Sequence, residues 1–184
     1  MNFTRVIAGR YKGRKIALPK NELTRPTKSI VRESIFDTLS DEVSSYPFVE
    51  LFAGSGSVGL EAASRGCEEV IFLERDPAAL RTLEENIRSL GFGGAKVIAG
   101  DTFKTAREAV DLLQKRRAWF YCDAPFGIEA QTQTLLAAIP PDAARGVIVE
   151  HISSYKPPHV SGCRDLVKQR RFGRTTISYY RDDI

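Results

Sequence analysis

The apolar positions of this chain fall into short runs that alternate between two periods. Val6-Ile7-Ala8-Gly9 and Lys15-Ile16-Ala17-Leu18 are strand-like runs separated by glycine and basic residues, which predicts a β-hairpin. Thr24-Arg25-Pro26-Thr27 reads as a turn, and Ser29 to Leu39 as a helix with Ile30, Ile35 and Leu39 among its apolar positions and Phe36 beside them. Beyond Pro47 the runs become more apolar. Phe48-Val49-Glu50-Leu51-Phe52 predicts a strand that breaks into a glycine-rich turn and then a helix through Leu60, Ala62 and Ala63. Val70 to Leu73 predicts a second strand. Asp76 then caps a helix with Pro77 at its first position, where a missing N–H costs little, and Gly91 ends it. Lys96 to Ala99, Ala118 to Cys122 and Gly146 to Glu150 predict three more strands, with helices over 105–115 and 133–139 between them.

Strand and helix in alternation predict an α/β fold, a parallel sheet with helices on both faces. The near-continuous apolar strands suit a sheet buried on both sides. The end of the chain departs from this rhythm. Asp165 to Arg171 and Thr175 to Tyr180 flank Phe172-Gly173-Arg174, a hairpin that makes the sheet mixed at one edge. Residues 1–44 form a basic extension of hairpin and helix, and residues 45–184 the main domain.

Charge separates these two parts. The net charge is +4, yet residues 1–32 carry nine Lys/Arg against the single acid Glu22, and the remainder is net negative. A stretch of this kind attracts phosphate backbones through counterion release. Arg10, Lys12, Arg14 and Arg25 are its leading candidates for phosphate contact, with Lys28 and Arg32 beside them. Cys67, Cys122 and Cys163 are too few and too widely spaced for a disulfide framework or a zinc site, so no metal is expected. The first residues lack the apolar run of a signal peptide and no run is long enough to span a membrane, so the expectation is a cytoplasmic protein.

The turn after the Phe48 strand carries the densest chemistry. In Glu50-Leu51-Phe52-Ala53-Gly54-Ser55-Gly56-Ser57-Val58-Gly59, the glycines at 54, 56 and 59 form G-x-G-x-x-G, which permits tight turning and close backbone approach to a ligand. Glu74, beside Arg75, ends the next strand, where a carboxylate accepts both hydroxyls of an adenosine ribose. NAD and S-adenosylmethionine both satisfy these two features. Three others separate them. Glu50 puts a carboxylate at the loop entrance, suited to a methionine ammonium and wasted beside a pyrophosphate. Asp101, followed by Thr102, is placed to accept from an adenine amine. Asp123-Ala124-Pro125-Phe126 closes the fourth main strand. All four acids lie at successive strand ends, where an open parallel sheet forms its ligand crevice.

The last motif suits methyl transfer to a base amine. Such a nitrogen is a poor nucleophile, because its lone pair is delocalised into the ring. Asp123 and the Ala124 carbonyl can accept its protons and turn the lone pair toward the methyl donor, while Phe126 stacks on the base. The base must be unpaired or flipped out to be reached.

At these residues the chain closely resembles the bacterial methyltransferases that make N2-methylguanine at guanine 966 of 16S rRNA. The resemblance runs nearly end to end: Arg5-Val6-Ile7-Ala8-Gly9, Gly13-Arg14, Thr24-Arg25-Pro26-Thr27, Val31-Arg32-Glu33, Leu51 to Gly56, Gly59-Leu60-Glu61-Ala62, Ser64-Arg65-Gly66, Asn86 and Glu150-His151. It implies the Rossmann-like seven-stranded methyltransferase sheet, S-adenosylmethionine as donor, and 16S rRNA within the assembled 30S subunit as partner of a monomeric enzyme. By position, it assigns the cofactor to the loop around Gly54 and Gly56 with Glu74 and Asp101, and the guanine to Asp123 through Phe126. Two positions depart from the family's usual pattern: Glu50 replaces an aspartate, and Ala124 replaces the first proline of Asp-Pro-Pro-aromatic. Competing readings are a DNA amino-methyltransferase, an inactive RNA-binding homologue and an NAD-dependent oxidoreductase. The last leaves Asp123–Phe126 and the basic arm without a role.

Overall fold

The computed structural model of the protein describes residues 2–19, 27–125 and 127–182. The expected turn at 24–26, the phosphate contact at Arg25 and the stacking residue Phe126 therefore lie outside the described residues. Among the described residues, ten strands and six helices follow one another: β1 (Phe3–Arg5), β2 (Lys15–Ala17), α1 (Ser29–Leu39), α2 (Glu42–Ser45), β3 (Phe48–Leu51), α3 (Ser57–Ser64), β4 (Val70–Glu74), α4 (Pro77–Leu90), β5 (Ala95–Ala99), α5 (Thr102–Leu112), β6 (Ala118–Cys122), α6 (Glu129–Ala137), β7 (Ala144–Ile152), β8 (Val160–Ser161), β9 (Arg164–Phe172) and β10 (Thr175–Arg181). The main sheet runs β5-β4-β3-β6-β7-β10-β9-β8. The strands from β5 to β7 are parallel, and β10, β9 and β8 are antiparallel additions. Strand order reverses between β3 and β6, and a ligand crevice opens at such a switch point.

This is the α/β fold with a mixed edge that the alternation predicts, and several boundaries move. The two-residue β8 raises the expected seven strands to eight. β1 is the polar Phe3–Arg5, not Val6–Gly9; the apolar run instead bends inward, burying Val6 against the core. α1 spans its predicted residues, but Val31 faces the core and Ile30 is 59% exposed. α5 begins three residues early, because the Asp101 carboxylate caps it by accepting from Phe103 N at 3.1 Å. α6 likewise begins earlier than 133. The Asp76 cap, Pro77 at the first turn and the left-handed Gly91 stop fall where the sequence puts them.

Core side chains fill both faces of the sheet. One cluster joins α1 and α3 to Phe72, Trp119, Tyr121 and Tyr179, and the other joins α5 and α6 to Leu51, Leu73, Phe120 and Val149. The basic extension shares the first of them through Val6 and Ile16. Backbone bonds weld it down: Ile7 N and Ala8 N donate to the buried Glu61 carboxylate at 2.8 and 3.0 Å, and Arg10 N donates to Ser64 O at 2.8 Å. Gly9 lies so close to Ser64 that a Cβ would sit 1.8 Å from its carbonyl oxygen, and its φ of +78° also demands glycine. Asn86 on α4 ties three segments together. Its amide accepts from Ala17 N at 2.8 Å and donates to Ala17 O at 3.0 Å and Ser55 O at 2.9 Å.

Candidate active site

The glycine loop takes its shape from local conformation. Phe52 leaves β3 with φ +60°, uncommon for an aromatic residue, and Gly54 and Gly56 follow at +56° and +74°. Gly56 and Gly59 serve packing: a Cβ at Gly56 would meet Leu83 at 2.3 Å, and one at Gly59 would meet Phe72 at 2.5 Å and Glu50 Oε2 at 2.8 Å. Glu50 lies beneath the loop, 2% exposed, and accepts from Gly59 N at 2.8 Å and Val58 N at 3.3 Å. Each oxygen accepts one donor from the start of α3, so about two of its four acceptor positions remain beneath the loop. Burial pushes its carboxyl up to about 8, against the two N–H donors and Arg32, which pull it down.

Glu74 binds the other side of the loop. Its carboxylate accepts from Gly54 N at 2.7 Å, Arg75 N at 2.7 Å and Asp76 N at 2.8 Å. A carboxylate offers about four acceptor positions, so one remains for a hydroxyl donor. Asp101, at the end of β5, spends one oxygen on its cap and keeps the other. Thr102 is buried behind it, and Arg75 projects outward. Phe103, which the motif reading passes over, sets its ring edge-on to Phe52 at 5.7 Å and is 39% exposed, giving the crevice an aromatic wall. Two acceptors and an aromatic wall beside a glycine turn are a donor set that fits an adenosine. Glu74→Ala should weaken S-adenosylmethionine binding by roughly 1.5–3 kcal/mol, the range for a hydrogen bond to a charged group. Calorimetry measures this, and unchanged affinity would remove Glu74 from the site.

The acceptor loop leaves β6 next to β3, across the switch point. Asp123 is half-buried, and its carboxyl is raised well above the ordinary carboxylate range, first by burial and then by Glu150 and Glu50. Behind it lies a cluster the motifs did not announce. Tyr121 OH donates to Glu150 Oε2 at 2.6 Å, and Thr27 Oγ1 lies 3.0 Å from Tyr121 OH and donates to Glu150 at 3.2 Å. Thr27 thereby brings the start of α1 over the loop. Ala124 and Pro125 edge a small recess shared with Glu129, Gln133, His151 and Tyr155. His151 has a structural part: Nε2 lies 2.8 Å from Ser178 Oγ and Nδ1 lies 3.0 Å from Ile152 O. Burial lowers its pKa, which keeps it neutral.

The candidate phosphate contacts scatter. Arg10 and Lys12 are exposed on a turn bonded to the C-terminal end of α3, and Arg14 donates to Ser89 O near the end of α4. Those helix ends lie at the far end of the sheet from Asp123. Arg10 is stacked over Tyr11 and Phe92, at 4.7 and 5.5 Å from their ring centres. Lys28 is exposed at the start of α1, next to Thr27, which bonds Tyr121 and Glu150. Arg32 corrects the reading of the charge run: it is fully buried, donates to Thr4 Oγ1 at 2.9 Å and Arg5 O at 2.8 Å, and has no path to a phosphate. No group of His, Cys, Asp and Glu suited to a metal occurs among the described residues, and no described helix is long and apolar enough to cross a membrane.

Sheet order, glycine loop and acceptor loop together define a protein of the Rossmann-like methyltransferase class. The Escherichia coli protein yhhF, provisionally named a methyltransferase, superposes with a TM-score of 0.80 at 27% identity, over 98% of this chain and 99% of that one. The chain belongs to the family described as Conserved hypothetical protein 95, whose model matches residues 4–181. It is 31% identical over 185 residues to YlbH of Bacillus subtilis (strain 168), provisionally named an rRNA methyltransferase, covering 96% of this chain and 98% of that protein. Ribosomal RNA small subunit methyltransferase D of Escherichia coli (strain K12) is 37% identical over 94 residues, 51% of this chain and 48% of that one. A Salinibacter ruber RNA methyltransferase, solved with S-adenosyl-L-homocysteine, shares the fold at 15% identity with a TM-score of 0.62 over 87% of this chain and 96% of that one.

Proposed function

We propose that the protein transfers the methyl group of S-adenosylmethionine to the exocyclic N2 amine of a guanine in 16S rRNA, acting in the cytoplasm as a monomer on the 30S subunit. The observation that carries this reading is the Asp123 loop. In support, Asp123 follows β6, the neighbour of β3 across the switch point of the sheet, and feels the charge of Glu50 beneath the glycine loop. The small-subunit rRNA relatives and the S-adenosyl-L-homocysteine in a protein of the same fold support the choice of substrate and donor.

When bound, S-adenosylmethionine supplies an electrophilic methyl carbon on a sulfonium. This chain's residues do the rest. Glu74 and Asp101 hold the nucleoside, and Glu50 stiffens the loop from below. Asp123 accepts a hydrogen bond from the amine and aligns its lone pair. In the transfer that such a donor would support, the amine nitrogen would take the methyl carbon while the electron pair of the carbon–sulfur bond stayed on the departing thioether. The nitrogen then carries positive charge and an extra proton. A carboxylate held among Glu150 and Glu50 is stabilised most when that charge appears, which lowers the barrier rather than the ground state. Its raised pKa also suits it to take the proton and pass it to water.

The test is one reaction: purified protein, labelled S-adenosylmethionine and 30S subunits lacking the modification, followed by nucleoside analysis. Labelled N2-methylguanine is expected; label in duplex DNA, or none in rRNA, overturns the reading. Ala124→Pro should raise the single-turnover rate several-fold, since preorganising a loop is worth roughly 0.4–1 kcal/mol and each 1.36 kcal/mol is about tenfold in rate. A rate unchanged by the proline would place no catalytic cost on Ala124.

A further inference from the structure

The rim that holds the crevice does not stop at Asp123. Following the sheet order, Asp101, Glu74 and the glycine loop lie at the ends of β5, β4 and β3, Asp123 at the end of β6, and Glu150 near the end of β7. β10 runs antiparallel to β7, with Ile177 beside Glu150 and Thr175 beside Ile152, so the β9–β10 turn falls on the same rim. β9 then places Arg170 beside Ile177 and Arg171 beside Thr176, with Arg174 in the turn itself. Glu150, Ile177 and Arg170 form one row. Partnered residues point to one face, and strands lie about 4.8 Å apart, so Arg170 stands roughly 10 Å from Glu150 along the sheet.

Seven arginines of the body are ion-paired, whereas Arg75, Arg81 and Arg88 are exposed and, among the described residues, make no such pair, as is also the case for these three. Arg65, Arg107, Arg116, Arg117, Arg145, Arg164 and Arg181 each have a carboxylate within 4.0 Å. Among the described residues, Arg170, Arg171 and Arg174 have none, and all three are exposed. Arg170 donates only to Ser34 Oγ at 3.2 Å and Arg171 only to Gly173 O at 3.0 Å. The turn is also fixed in place: Ser153 N donates to Arg174 O at 2.9 Å, and Ser153 Oγ donates to Gly173 O at 3.1 Å and lies 2.9 Å from Thr176 Oγ1. Arg170 and Arg171 are successive on β9 and so point to opposite faces of the sheet, with Arg174 at the turn, so that the three flank the rim without a counter-charge, and their planar forks match phosphate oxygens. Meanwhile Arg10, Lys12 and Arg14 sit at the opposite end of the sheet.

We propose that the β9–β10 turn, through Arg170, Arg171 and Arg174, grips the RNA backbone a few nucleotides from the base presented to Asp123, with Lys28 at the start of α1 as a further contact. The proposal rests on the RNA-methyltransferase reading for its partner and on the sheet register for its place. Its test compares the double variant Arg171→Gln/Arg174→Gln with Arg10→Gln/Lys12→Gln. Binding of unmodified 30S subunits is measured across a salt series, and steady-state methylation alongside it. The turn variant should raise KM for 30S subunits about tenfold with kcat and S-adenosylmethionine affinity unchanged. It should flatten the salt dependence by about 0.7 for each single-strand phosphate that it no longer neutralises. The distal variant should change both less. An unaltered salt slope and KM in the turn variant overturn the proposal while leaving the enzyme reading intact. Tight, salt-sensitive 30S binding that the turn variant weakens, with no methyl transfer by the wild-type protein, would sink the enzyme reading and keep the grip.

Discussion

Asp123→Ala is expected to lower the methylation rate by about a hundred- to a thousandfold, the scale on which removing one oriented transition-state group acts. S-adenosylmethionine should bind as before on the proposed reading, because Asp123 follows β6 while the proposed nucleoside contacts, Glu74 and Asp101, lie at the ends of β4 and β5. The variant should fold, since the residue is half-buried and among acids; removing one negative charge from Glu150 and Glu50 relieves repulsion. The wild-type pH profile carries the same assignment. Asp123 accepts a proton only as a carboxylate, and its pKa is raised, so kcat should climb with pH through an inflection above the usual carboxylate range and be lost below it. Single-turnover methylation of unmodified 30S subunits measures both. An Asp123→Ala enzyme retaining a tenth of its rate would take the residue out of the chemistry.

Arg32→Leu should destabilise the fold by about 3 kcal/mol, the low end for stripping one partner from a buried charged group. In a chain of 184 residues this is roughly 6–12 °C in Tm. Arg32 fastens β1 to α1 through Thr4 and Arg5, and its field offsets the buried carboxylates of Glu61 and Glu50. Glu61 retains Arg65 at 2.9 Å, which keeps the loss from running higher. Glu50 retains only backbone donors, so its carboxyl should rise further from about 8. Combining Arg32→Leu with Glu50→Gln should recover part of the stability. Thermal and denaturant unfolding measure each step, and a single variant as stable as wild type would show that the buried guanidinium contributes specificity alone.

The strand ends were legible because an acid lies at or near the end of each apolar run, at Glu50, Glu74, Asp101 and Asp123, and in a parallel sheet those ends share one rim. The capped start of α4 was legible because Asp76 and Pro77 act through local backbone geometry. What escaped depended on contacts distant in sequence. Thr27, Tyr121 and Glu150 meet across separations of 94 and 123 residues, and no motif joins them. The charge run gave its count correctly but not its destinations: Arg32 turns inward, Arg10 and Lys12 ride to the far end, and Arg170 to Arg174 reach the rim from the other terminus. On α1 the periodicity favoured Ile30, but Val31, Ile35 and Leu39 make the buried stripe. Ile30 therefore stays outside, an apolar residue on a polar face.

Asn86 makes the extension and the cofactor loop share one set of hydrogen bonds, since the amide that holds Ala17 also holds Ser55. The place of the hairpin and the shape of the glycine loop therefore depend on a single side chain. Asn86→Ala should loosen both together, and faster amide exchange at Ala17, whose N–H it leaves without its acceptor, reads the loss.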